Sequence, residues 1–133
     1  MEIIDLAQFK NQNVDMMSPL VWAYVGDAVY ETYIRVYLSM TTKLNPHNLH
    51  IKSIDYVKAK SQAEILKKIQ DILTEEEKEI VRRGRNTNTH HLPKNADMAD
   101  YMYSTAFEAL IGYLYLKGNE IRLKEILKLC VKN

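Results

Sequence analysis

Two acidic side chains stand alone in apolar stretches of this sequence. Asp27 is the one charged residue between Pro19 and Tyr30, and Glu108 is the one charged residue between Tyr101 and Leu116. An ionised carboxylate is costly to bury unless a donor, a counter-charge or a cation meets it. A single acid of this kind is most often a capped member of a structural network. Two of them, in separate apolar segments, point instead to a shared divalent ion. Hard cations such as magnesium take one or two carboxylates and fill the remaining positions with water and phosphate oxygens. An ion so held lowers the pKa of water and neutralises charge building up on a phosphoryl group. The sequence offers no covalent nucleophile: Ser104 has no signature of a partnering base, and Cys130 sits near the tail.

The segments carrying these acids are predicted to be helices. Ser18-Pro19 supplies an N-cap and a proline at the first helical position. The run Leu20 to Met40 then contains one glycine, Gly26, and no proline. Its apolar residues fall nearly all round, which predicts a buried central helix. Asn45-Pro46 restarts helix, and apolar residues continue at helical spacing to Leu73, with a break expected near Ser53. Thr74-Glu75-Glu76-Glu77 reads as a capping box, and the short helix it opens is expected to end with Gly84 at C′. A polar loop from Arg85 to Asn95 follows, then a helix over Ala96–Lys117 closed by Gly118, and a last one over Asn119–Val131. The expected fold is all-α, one domain over residues 1–133 with its core in about 18–129.

On those helices Asp27, Glu31 and Arg35 form one stripe at four-residue spacing. Glu31–Arg35 is expected as a plain helix ion pair, with Glu31 still open as an acid near the site. Ala23 lies one turn before Asp27. Thr105 shares the Glu108 face; it is either an additional metal-side hydroxyl or a packing residue.

Hydrophobic residues make up 47% of the chain and charged residues 26%, an ordinary globular composition. One cysteine excludes an internal disulfide framework and a multi-cysteine zinc site. With no secretory start and no membrane-length apolar run, a cytoplasmic protein without a membrane partner is expected. Net charge is +1, so any grip on phosphates must come from local concentration of positive charge. The candidate is Arg82, Arg83 and Arg85, followed by the loop with His90, His91 and Lys94. The competing reading is that these arginines complement a helix C-terminus. Adjacent histidines with no cysteine partner and no HExxH spacing do not make a zinc site.

Tyr24-Val25-Gly26-Asp27-Ala28-Val29 resembles the signature helix of the ribonuclease III family, and Phe107-Glu108-Ala109-Leu110-Ile111-Gly112 resembles its second acidic motif. Their order and separation match as well. The resemblance spans about Ser18 to Leu129. The lack of an appended double-stranded-RNA-binding domain is similar to the short subclass, Mini-ribonuclease III. It implies a homodimeric helical domain that hydrolyses double-stranded RNA with Mg2+, which Mn2+ may replace, and that leaves 5′-phosphates. Asp27 and Glu108 are implied as catalytic metal ligands, and large-subunit (23S) ribosomal RNA precursor as the substrate. Trp22 and Tyr24 are implied at the dimer contact, with plain core packing as the other reading. Two of the family's four acid positions differ here, being Ala23 and Thr105. That difference keeps open a catalytically degenerate RNA-binding or ribosome-assembly module. A helical adaptor whose lone acids belong to a structural network is a further alternative.

Overall fold

Five of the six α-helices in the computed structural model, which describes residues 3–9, 12–87 and 97–132, begin on a capping side chain. Helix α1 (Pro19–Thr41) starts at Ser18, whose Oγ accepts from the Leu20 N–H at 3.2 Å. Helix α2 (Pro46–Val57) starts at Asn45, α5 (Met98–Leu116) at Asp97 and α6 (Glu120–Cys130) at Asn119, each through a side-chain carbonyl or carboxylate oxygen. Helix α4 (Glu75–Arg85) opens with both halves of the capping box: Thr74 Oγ1 accepts from the Glu77 N–H, and Glu77 Oε1 accepts from the Thr74 N–H. Helix α3 (Ala59–Ile69) has no side-chain cap and follows α2 after one extended residue, Lys58. Among the described residues there is no strand, and no helix is long and apolar enough to cross a membrane.

Two expected boundaries differ. The break between α2 and α3 falls at Lys58, because Ser53 is comfortable inside α2: it is buried, and its Oγ donates to the His50 carbonyl at 2.7 Å. Gly84 lies within α4, and Asn86 caps that helix. Its missing side chain serves packing rather than termination, since a Cβ there would meet the Ala109 Cβ at 2.9 Å and the Ala106 Cα at 3.0 Å. Gly118 does close α5 in the left-handed region, at φ 73°.

The central helix is α5, which packs against α1, α3 and α4. Its Ala106, Phe107, Ala109, Leu110 and Ile111 have no exposed surface. Helix α1, expected to be buried all round, buries one stripe at every fourth residue: Trp22, Gly26, Tyr30, Ile34 and Leu38. Edge-to-face pairs of Trp22 with Tyr113 (5.1 Å between centroids) and Tyr30 with Phe107 (4.9 Å) lock α1 to α5. The outer face leaves Leu20, Val21, Tyr24, Val36 and Met40 exposed.

A buried ion pair ties α6 to α4. Arg122 donates to both carboxylate oxygens of Glu77 at 2.8 Å, and also to the Ile72 carbonyl at 2.7 Å. Burial alone would raise the Glu77 pKa, but the guanidinium and the Thr74 N–H outweigh it and hold the carboxyl below its ordinary range. The Glu77 side chain is 5% exposed, so removing its partner strands a charge with little access to water. Arg122→Ala is expected to cost about 3–5 kcal/mol in urea unfolding. Arg35→Ala, which breaks the exposed Glu31 pair on α1, should cost less than about 1 kcal/mol. Equal losses for the two variants would show that the buried pair has no special weight.

Candidate active site

Helices α1 and α5 cross with their backbones in contact, and glycine on each side makes this possible. A Cβ on Gly26 would lie 1.7 Å from the Glu108 carbonyl oxygen, and a Cβ on Gly112 would lie 1.8 Å from that of Trp22. Each glycine therefore receives the other helix where a side chain would stand. Asp27 and Glu108 are the immediate neighbours of this crossing.

The crossing brings the two lone acids together. Asp27 is exposed and Glu108 is half-buried. Their carboxyl groups lie close enough to interact directly. Burial, the Asp27 charge and more distantly the Glu31 charge push the Glu108 pKa up to about 8. Gln62 on α3 acts the other way. Its Nε2 donates to Glu108 Oε2 at 3.4 Å and to the Val57 carbonyl at 2.8 Å, while its buried Oε1 has no partner among the described residues. Two acids held against their mutual repulsion, one inside and one facing water, fit a hard cation. Among the described residues no group of three or more acid, histidine or cysteine side chains gathers. The remaining ligand positions would fall to water and substrate oxygens.

The other residues singled out from the sequence are placed as follows. Ala23 is buried, and Thr105 is buried with its hydroxyl donating to the Tyr101 carbonyl at 3.0 Å. That bond leaves only oxygen lone pairs to face any ligand. Glu31 pairs with Arg35 at 2.9 Å. Arg82 is paired with Glu79. Arg83 lies over the Trp22 ring at 4.7 Å and reaches toward the Asp15 carbonyl at 3.5 Å. Arg85 is half-buried, and its side-chain hydrogen bond goes to the adjacent Asn86. His90, His91 and Lys94 lie outside the described residues. Trp22 requires a correction: with 0% exposure, an indole N–H donating to the Val14 carbonyl and a ring against Tyr113, it is core and cannot meet a second subunit. Tyr24, on the opposite face, is 81% exposed.

The model of the ribonuclease III domain matches residues 20–119. The chain belongs to the ribonuclease III family. It is 52% identical over 122 residues to a Mini-ribonuclease 3 of Thermoanaerobacter sp. (strain X514), covering 91% of this chain and 85% of that one. The Mini-ribonuclease 3 of Staphylococcus aureus (strain NCTC 8325 / PS 47) is 42% identical over 120 residues, 89% of this chain and 90% of the relative. A crystal structure of a protein from Fusobacterium nucleatum superposes with a TM-score of 0.78 at 35% identity, covering 87% of this chain and 93% of that chain. The chain is thus an endoribonuclease of the ribonuclease III family, similar to its Mini-ribonuclease III members over most of their length.

Proposed function

We propose that this ribonuclease III family member is a magnesium-dependent endonuclease specific for double-stranded RNA. In this reading it acts as a cytoplasmic homodimer in maturation of the large-subunit ribosomal RNA. The observation that carries the reading is the approach of Asp27 and Glu108 at the Gly26–Gly112 crossing. Burial and the Asp27 charge both disfavour an ionised Glu108, and a cation between the two carboxyl groups offsets that cost.

Asp27 and Glu108 would hold the magnesium, or manganese in its place. Glu108 anchors it from the protein side, and Asp27 meets it at the surface where a duplex can approach. Thr105 would contribute at most an oxygen lone pair. A bound divalent ion supplies a water of lowered pKa and charge neutralisation at the phosphoryl group. The chain's own residues contribute binding and orientation, and no side chain needs to form a covalent bond.

A-form RNA is recognised mainly through its backbone and the shallow groove, not by base edges in the deep one. The end of α4 is the proposed phosphate contact. Gly84 packs on Ala106 and Ala109, so this end lies along the α5 segment that carries Glu108. Arg85 is the leading side chain, because Arg82 is paired with Glu79 and Arg83 is engaged with Trp22. Arg85→Ala is expected to weaken duplex binding, lower the slope of log affinity against log salt by about one, and leave the melting temperature alone. An unchanged salt slope would take Arg85 out of the interface. His90 and Lys94, in the segment that follows, are proposed alongside it.

The exposed apolar side chains of α1, with Leu20, Val21 and Tyr24 together near its start, support the homodimer: apolar surface of this kind is usually covered in the working assembly. Sedimentation at several concentrations tests it, and a monomer throughout would refute it. For the activity, the protein and its Asp27→Asn variant are incubated with a long RNA duplex and magnesium, and with single-stranded RNA of the same sequence. Magnesium-dependent cutting of the duplex alone, lost in the variant, is the expected result. Tight duplex binding with no product would assign the chain instead to a degenerate binding module. A duplex stalk from the large-subunit ribosomal RNA precursor, cut in preference to arbitrary duplexes, would support the maturation role.

A further inference from the structure

Gln62 sits on α3 with 2% of its surface exposed, in the stripe that also carries Leu66 and Ile69. An apolar side chain is the ordinary occupant of such a position. The orientation of its amide is fixed from one side. The Val57 carbonyl closes α2 and can only accept, so Nε2 must face it, at 2.8 Å. The same nitrogen has a second hydrogen, which reaches Glu108 Oε2 at 3.4 Å. The oxygen of the amide is left buried without a partner among the described residues. Turning the amide over would direct Oε1 at two acceptors at once. Gln62 is therefore held in the one orientation that offers a donor to Glu108, at the cost of an orphaned acceptor.

We infer that Gln62 is a positioning residue for the metal site: its amide N–H holds the Glu108 carboxylate in the rotamer that meets the cation beside Asp27. This rests on the reading of Asp27 and Glu108 as the ligands. It adds a residue on a third helix, so that α1, α3 and α5 together define the site. Groups that orient a metal ligand through its free oxygen or nitrogen commonly change metal affinity by about 10- to 100-fold when removed. A group kept only for packing would not affect metal affinity.

The test is binding of Mn2+ alone, followed by electron paramagnetic resonance on the full chain without RNA, for the parent protein, Glu108→Gln and Gln62→Met. Methionine keeps the length and the buried volume but removes the donor. Because the orphaned oxygen disappears together with the bond to Val57, the metal-free melting temperature is expected to shift little. Manganese affinity is expected to fall about tenfold or more. Unchanged affinity in a folded Gln62→Met protein would overturn the proposal while leaving the two carboxylates as ligands. Parent protein that binds no better than Glu108→Gln would overturn the ligand reading itself, and this proposal with it. Should Gln62→Met not fold, Gln62→Asn reads the same effect, since it keeps an amide but falls one methylene short of Glu108.

Discussion

Gly26→Ala is expected to abolish the native fold, leaving a chain without a cooperative melt and without nuclease activity. The added methyl carbon would sit 1.7 Å from the Glu108 carbonyl oxygen, 2.7 Å from its carbon and 2.8 Å from the Gly112 nitrogen. All three are backbone atoms in the middle of a helix, so no rotamer change relieves the contact. Helices α1 and α5 would have to part by more than an ångström along the whole crossing. The pairs at stake are Trp22 with Tyr113 and Tyr30 with Phe107, which lie on the α1 stripe to either side of Gly26. Overpacking a core that can adjust costs about 1–3 kcal/mol, but here the principal interface opens. A domain of this size holds only about 5–15 kcal/mol in total. Circular dichroism during heating gives the answer. An alanine variant that melts like the parent and still cuts would mean that the helices do not meet backbone to backbone.

The Gly26 contact was not legible in the sequence, although the glycine was: a lone glycine in a helix reads as a weak point, and its partner 86 residues on cannot be seen from spacing. The difference follows from Gly26 and Gly112 themselves. What could be read were features settled within a few residues, such as the Ser18 and Asn45 caps, the Thr74–Glu77 box, the Gly118 turn and the isolation of Asp27 and Glu108. What could not be read were choices made by distant neighbours. Gly84 has the right identity for a helix end, but Ala106 and Ala109 keep it inside α4. Arg83 looks like its neighbour Arg82 until Trp22 lies beneath it. The exposed apolar residues of α1 read as core because an apolar residue type does not tell whether the chain itself covers that side chain. Gln62 did leave a signal, being polar at i with Leu66 at i+4 and Ile69 at i+7 on a buried stripe. An amide in such a stripe is a place to look for a polar partner.

Asp27→Asn and Glu108→Gln should each lower duplex cleavage about 1,000-fold or more in magnesium, and yet stabilise the metal-free protein. The loss follows from what a bound cation supplies at a phosphoryl group, several kcal/mol of charge stabilisation; about 4 kcal/mol corresponds to 1,000-fold in rate. On the proposed reading, in which both acids hold the cation together, the double variant should be little worse than either single one. The gain in stability follows from burial around Glu108 and from the Asp27 charge, which raise the Glu108 pKa from 4.5 to about 8. Between those values the folded protein binds more protons than the unfolded chain, so stability falls as pH rises. Glu108→Gln removes that dependence, and Asp27→Asn removes the second of its causes. With a chelator present, the excess melting temperature of Glu108→Gln over the parent should therefore be small near pH 5 and grow toward pH 8. Magnesium must displace the same proton, so the parent's magnesium requirement should rise by up to roughly tenfold per pH unit on acidification below about 8. A structural network acid behaves in the opposite way: replacing it destabilises the protein at every pH and leaves no magnesium term to shift. Melting curves at pH 5 and pH 8 with and without magnesium, beside single-turnover cleavage, separate the two. Variants that melt lower than the parent at pH 8, or that still cut at near the parent's rate, would assign both carboxylates to a structural network instead.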